Sequence, residues 1–234
     1  MLKVFVVYGG HSDMAWMKPL GITETSKIDE ADIVLFTGGA DIDPAFYGEK
    51  AGGRTYSSSD RNILEKNYIE KAIADGKMLV GQCRGGQLIC AFAGGKLIQD
   101  VTGHGGTHHK VTCADGDTYS MNSIHHQMQF PYTLPADQYE ILSWTKGISK
   151  HYHNGNDEDI ELPEDFVEVE AAHYKNIRGL AFQGHPEWMT EGSYGRDKCR
   201  VFLKNFIEET LQIELPAIPE SKEKEPLELN EHFY

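Results

Sequence analysis

Three short apolar bursts, at residues 4–7, Ile33–Phe36 and 78–80, each run into glycine: Gly9-Gly10, Gly38-Gly39 and Gly81. Between the second and third, apolar residues at Ile63, Leu64, Tyr68, Ile69, Ala72 and Ile73 keep a helical period over 60–75. Ser59 or Asp60 is placed to cap that helix, and Gly76 follows its end. Short, uniformly apolar strands that alternate with helices have no solvated face. They require a mostly parallel sheet covered by helices on both faces, so the expected fold class is α/β with an open, flavodoxin-like layering.

A further helix is expected over 87–93. From residue 110 the texture changes, and short runs at 110–112, 141–144 and 166–169 among turn residues predict extra antiparallel strands. Residues 147–164, rich in His, Asn, Asp and Glu, are expected to form an exposed loop. Gly179–Phe182 predicts a last strand and 194–213 a closing helix. Residues 1–215 are expected to form one domain, since 234 residues suffice for one substantial core. Beyond Pro216 the acidic, proline-bearing stretch 216–234 has too few large apolar residues for a core and is expected to be loose.

The net charge of −14 argues against nucleic acid or an anionic membrane surface as partner, because counterion release needs a basic footprint. No apolar run approaches the roughly 20 residues that span a bilayer. The first ten residues read as a strand, not as a signal peptide. Four cysteines in a chain this long make a poor disulfide framework, so free thiols and a cytoplasmic location are expected.

Three segments carry chemistry. Leu79-Val80-Gly81-Gln82-Cys83-Arg84-Gly85-Gly86-Gln87 takes a strand into Gly-x-Cys-x-Gly and straight into a helix, the cysteine counterpart of a nucleophile elbow. The helix would aim its amino end at the sulfur and favour thiolate; taken alone, the pattern also fits a buried structural cysteine. Ala181-Phe182-Gln183-Gly184-His185-Pro186-Glu187 then supplies an imidazole just past a strand, with a carboxylate two residues on to fix its tautomer. Phe36-Thr37-Gly38-Gly39-Ala40-Asp41 ends another strand, where backbone N–H groups could join that of Arg84 as an oxyanion hole. By itself that stretch equally fits an ordinary glycine turn with an Asx turn at Asp41 or Asp43.

In this order the three segments resemble the class I glutamine amidotransferase-like superfamily. The branch it most resembles is γ-glutamyl-γ-aminobutyrate hydrolase, through the blocks 37–49 (Thr37-Gly38-Gly39-Ala40-Asp41-Ile42-Asp43-Pro44 and on to Glu49), Gly81–Gln87, 93–100 (Ala93-Gly94-Gly95-Lys96-Leu97-Ile98-Gln99-Asp100) and Asn122-Ser123-Ile124-His125-His126-Gln127. The resemblance implies Cys83 as nucleophile, His185 as base and acid, and Glu187 as orienter. It implies Gly39 and the Arg84 backbone as oxyanion donors, Gln87 in a γ-glutamyl pocket, and His125, His126 and Gln127 closing over the substrate. The chemistry implied is hydrolysis of a γ-glutamyl amide through a glutamyl thioester, without cofactor.

Three positions and one segment depart from the family pattern. Gly184 stands for a large aromatic, so the wall beside His185 is expected to be more open. Gln82 replaces a small aliphatic residue, Asn62 an Asp, and 147–164 a short turn. The partner is a small-molecule γ-glutamyl substrate or glutamine. In the alternative reading a synthase on another chain receives ammonia, and in a third the fold is a catalytically dead binding module. His104, His108-His109 and His125-His126 lack clean ligand spacing, so no metal site is expected. Cys90, Cys113 and Cys199 read as structural thiols.

Overall fold

A computed structural model describes residues 1–218. In chain order the elements are β1 (Lys3–Val7), α1 (His11–Met14), β2 (Thr23–Glu24), β3 (Ile33–Phe36), α2 (Ser59–Ala74), β4 (Met78–Gln82) and α3 (Arg84–Phe92). Then follow β5 (Lys96–Ile98), β6 (Asp100–Val101), β7 (Gly105–Cys113), β8 (Thr118–Ile124), β9 (Met128–Phe130) and β10 (Tyr139–Thr145). β11 (Tyr152–His153), β12 (Glu168–Tyr174), β13 (Gly179–Phe182) and α4 (Tyr194–Leu211) complete the order.

Nine strands form one sheet in the order β2-β1-β3-β4-β13-β12-β10-β7-β8. The first five are mutually parallel, and β12, β10, β7 and β8 continue the sheet antiparallel. This is the mostly parallel, two-faced α/β sheet with antiparallel additions that the sequence predicts. Alternation along each strand divides the core. Ile33, Leu35, Val80 and Phe182 pack with Trp16, Leu203 and Phe206 on the α4 side. Val34, Phe36, Leu79 and Ala181 pack with Ile69, Leu88 and Ile89 under α2 and α3. At about 1.5–3 kcal/mol per fully buried large apolar side chain, each face anchors its helices independently.

Three local expectations change. Helix α2 is capped at Ser58 without a side-chain bond, so neither Ser59 nor Asp60 caps it. Its first turns also face the other way: Ile63 and Leu64 are exposed, whereas Arg61, Asn62 and Glu65 are buried. Polar partners waiting inside, described below, outweigh the apolar period there. Residues 147–164 are not a bare loop. β11 pairs with β6, Ile160 and Leu162 pack against a small core of Ile98, Val101, Met128 and Phe130, and the Tyr152 hydroxyl donates to Glu168 at 2.5 Å. Of the stretch expected to be loose, Ile218 packs against the main core; residues 219–234 lie outside the described part of the chain.

Candidate active site

The elbow forms because glycine is sterically required at three positions around it. A Cβ at Gly81 would lie 2.3 Å from the Gly85 carbonyl carbon, one at Gly85 2.1 Å from the Phe36 oxygen, and one at Gly86 2.5 Å from the Phe182 oxygen. Helix α3 thereby rests directly on the ends of β3, β4 and β13. Cys83, its N-cap, sits at φ 51°, ψ −110°, a strained conformation of the kind that clusters at functional sites. Its N–H donates to the Phe182 carbonyl at 2.9 Å, and its own carbonyl accepts from Gln87 N–H at 3.0 Å, which lock the turn.

His185 follows β13 and is 2% exposed. Its Nδ1 meets Glu187 Oε1 at 2.7 Å, while Nε2 has no hydrogen-bond partner within ordinary limits among the described residues. Burial alone would lower the imidazole pKa, but interaction with Cys83 and then with Glu187 outweighs it and raises the value to about 9. Trp188, itself 62% exposed, stacks on the imidazole with centroids 3.7 Å apart and planes 1° from parallel. Asn122 of β8 clamps the backbone beneath: its Nδ2 donates to the His185 carbonyl and its Oδ1 accepts the His185 N–H, each at 2.9 Å.

The wall beside His185 is not open as Gly184 suggested. A Cβ there would strike Met121 Sδ at 2.5 Å and the Asn122 carbonyl at 2.6 Å, so β8 already fills the space. Gln82 points away from the site, donating through Nε2 to the Asp13 carbonyl at 3.1 Å.

The glycine loop after β3 lies against His185 and Arg61. A Cβ at Gly38 would be 2.5 Å from His185 Cε1. Gly39, at φ +151°, would place one 2.0 Å from an Arg61 guanidinium nitrogen. That loop is held from behind by a buried charge network. Arg61 donates to the Thr37 carbonyl at 3.0 Å and Arg84 to the Ala40 carbonyl at 2.9 Å. Both guanidiniums share Glu65, at 2.8 Å and 2.6 Å, and Asn62 Oδ1 accepts from Arg84 at 2.8 Å. The Arg84 side chain therefore faces the network, and only its backbone N–H is available to the site. Asn62 fits its place as a neutral acceptor.

One cavity of about 230 Å³ brings together Cys83, Gly39, Gln87, His125, His126 and Gln127, all of them singled out from the sequence. Gln87 Nε2 donates to the Gln127 carbonyl at 2.8 Å. His125 Nδ1 faces the same carbonyl at 2.9 Å and must carry the proton, leaving Nε2 as an acceptor; burial and His104 push its pKa well down. His126 Nε2 meets both Asp41 oxygens at 3.1 Å, and that pairing raises its pKa.

Sequence reasoning missed Arg61, Glu65 and Trp188, and gave no role to Asn122, which opens one of the motif blocks. The signal for the first two was a charged pair four apart on the face that Ile69 and Ala72 continue inward. Among the described residues, two groups could hold a metal: His104, His109 and Glu170, and Asp100, His151 and His153. In the first, His109 Nε2 meets Glu170 Oε1 at 2.7 Å, while His104 Nε2, His109 Nδ1 and Glu170 Oε2 have no hydrogen-bond partner among the described residues; in the second, Asp100 is taken by Arg54 at 2.9 Å and His151 at 2.8 Å. The thiols of Cys90, Cys113 and Cys199 are buried, with pKa values raised by desolvation.

Comparison with known proteins identifies relatives of the chain. The family model described as peptidase C26 matches residues 9–133. A glutamine amidotransferase-like protein of Lactococcus lactis is 30% identical over 198 residues, 74% of this chain and 75% of its own. One subunit of the glutamine-hydrolysing GMP synthase of Thermoplasma acidophilum is 26% identical over 224 residues, 87% of this chain and 92% of its own. A crystal structure from the same organism, of a protein described as a GMP synthase subunit, superposes with TM-score 0.58 at 20% identity, covering 91% and 95% of the two chains. No helix among the described residues is long and apolar enough to cross a membrane. With the family model covering more than half of the chain and a relative of this identity across three quarters of it, the chain belongs to the peptidase C26 family of class I glutamine amidotransferase-like proteins.

Proposed function

We propose that this protein hydrolyses γ-glutamyl amide bonds through a glutamyl thioester on Cys83. The observation that carries the reading is a thiol on a strained elbow, opening into a cavity, whose neighbouring imidazole is tied to a carboxylate at 2.7 Å. In this reading His185 takes the thiol proton and Cys83 Sγ attacks the γ-carbonyl carbon. The oxyanion is met by N–H groups of Gly39 and Arg84. Collapse breaks the C–N bond, and His185 returns the proton to the departing nitrogen. Water, deprotonated by His185, then attacks the thioester and releases glutamate and the free thiol. Glu187 fixes the imidazole tautomer throughout.

The recognition side is consistent with the glutamyl group. His125 Nε2 and Gln127 Oε1 are buried acceptors without partners among the described residues, on side chains that line the cavity; they suit the substrate's α-ammonium group. The test is Cys83→Ala, which should abolish release of amine from γ-glutamyl substrates while leaving the melting temperature within a few degrees. Retained turnover would overturn the assignment.

A second reading, a glutaminase that passes ammonia to a synthase on another chain, is favoured by the likeness over 87% of this chain to a GMP synthase subunit. It predicts slow glutamine hydrolysis by the isolated protein. Rapid turnover in isolation would count against a required partner.

A further inference from the structure

Once His185 is the acid that protonates the leaving nitrogen, the amine half of the substrate must depart along the surface around that imidazole. Three large side chains are exposed at the imidazole or in the cavity that holds the thiol. Trp188 is 62% exposed while stacked on His185, and Tyr56 and Ile124, 72% and 56% exposed, line the same cavity as Cys83. The cavity surface is predominantly apolar, and among the described residues no Lys or Arg lines it. Its charged groups are already matched: Asp41 is paired with His126 at 3.1 Å, and His125 is held neutral by burial. The glutamyl half already brings one carboxylate into this cavity, so a second, on the amine half, would lose water and find no free cation, at a desolvation cost that nothing returns. A bare ammonia leaving group would leave the three apolar side chains uncovered.

We infer that the amine half of the substrate is an uncharged aryl or alkyl group, and that Tyr56, Ile124 and Trp188 form its seat. This rests on the γ-glutamyl hydrolase reading and names the substrate class within it. It sets the protein apart from enzymes that cleave γ-glutamyl adducts of amino acids, whose leaving amine carries a carboxylate.

The experiment compares kcat/KM for γ-glutamyl benzylamide, γ-glutamyl isobutylamide, γ-glutamyl-γ-aminobutyrate and glutamine, using the full chain. The apolar amides should exceed the carboxylate-bearing amide and glutamine by about tenfold or more, the scale set by one or two apolar contacts in a specificity pocket. Ile124→Ser and Tyr56→Ser should each shrink that preference by about threefold or more. A carboxylate-bearing amide turned over as fast as the benzylamide overturns the inference. So does a preference that neither substitution moves. Glutamine outpacing every amide also overturns it, and assigns the apolar rim to a protein partner instead. Binding to Cys83→Ala, measured by calorimetry with the same four compounds, reads the preference without turnover. Failure of all hydrolysis by the unmodified protein, with apolar-amide binding intact, would sink the catalytic reading and spare this one. Absence of any binding preference sinks this one alone.

Discussion

Glu65 is the residue whose loss should be felt most widely. It has no solvent exposure and accepts from Arg61 at 2.8 Å and from Arg84 at 2.6 Å. Burial and the neighbouring Arg61 already pull the Arg84 pKa down, and Glu65 opposes them. Glu65→Gln keeps the volume but removes the carboxylate that these two buried guanidiniums share. Breaking a buried pair from one side costs about 3–5 kcal/mol, and at about 2–4 °C per kcal/mol for a chain of this size the melting temperature should fall by about 6–20 °C. Activity should fall further than stability explains. The same guanidiniums hold the Thr37 and Ala40 carbonyls that flank Gly38-Gly39, and a displaced oxyanion donor costs about 10²–10³ in kcat. Differential scanning calorimetry and steady-state kinetics on a γ-glutamyl amide read the two effects. Glu70→Gln is the control, because its partner Lys66 is 3.7 Å away and both are about half exposed. A pair of that kind contributes about 0–1 kcal/mol. If Glu65→Gln melts within about 2 °C of the parent and keeps its kcat within threefold, the network does not support the loop as argued.

Two further outcomes follow from the imidazole and its clamp. His185 is raised from an ordinary 6.5 to about 9, burial opposing and Cys83 and Glu187 prevailing. Its stabilising contribution is therefore fully present below about pH 6.5 and is lost as pH rises toward 9, so the melting-temperature gap between the parent and Glu187→Gln should narrow across that window; a gap that is flat or widens contradicts the assignment. Asn122→Ala removes two 2.9 Å bonds to the His185 backbone, each worth about 0.5–1.5 kcal/mol. It should lower kcat about tenfold with KM nearly unchanged, and equal losses in both parameters would mean that Asn122 acts on binding instead of on the placement of His185.

How much of this was legible in the chain depended on whether each element served the core or the site. Ile33–Phe36 and Gly179–Phe182 are strands over the expected residues because every side chain in them is buried, and periodicity reports burial directly. The motif residues Cys83, His125, His126 and Gln127 converge on one cavity because each lies beside a strand end, and Gln87 joins them from the first turn of α3. Periodicity failed at the start of α2, where Arg61 and Glu65 turn inward and Ile63 turns out; a buried charge network obeys pairing, which a hydrophobicity pattern does not register. Residues 147–164 were misjudged for a related reason. Their polar composition reads as solvated, yet the Ser149 backbone N–H and the Tyr152 hydroxyl both donate to Glu168, outside the stretch itself. Asn122 and Trp188 meet His185 through contacts across the fold, and no local spacing encodes those.

Several glycines read as turn signals, Gly38, Gly39 and Gly81 among them, prove to be contact surfaces, and Gly38 tests that distinction. Its φ lies outside the left-handed region that glycine alone tolerates, so alanine meets no backbone penalty there; the obstacle is the His185 ring, with Cε1 2.5 Å from the new Cβ. A flexible side chain would swing aside at little cost. This ring is fixed by Glu187 at 2.7 Å, by the Trp188 stack and by the Asn122 clamp beneath it, so it must slide as a unit or the loop must retreat. Overpacking of this kind costs about 1–3 kcal/mol, which this fold should survive with a melting temperature lowered by about 2–12 °C. Turnover is far less forgiving, since even an ångström of displacement between imidazole and thiol can cost about a hundredfold. Gly38→Ala should therefore give a folded protein with kcat reduced by about two orders of magnitude and a shifted pH profile, because the contact with Cys83 that raises the His185 pKa is disturbed. A variant that loses stability in proportion to activity would mean that Gly38 serves only the turn; one with unchanged kinetics would mean that the imidazole is not held where these contacts place it.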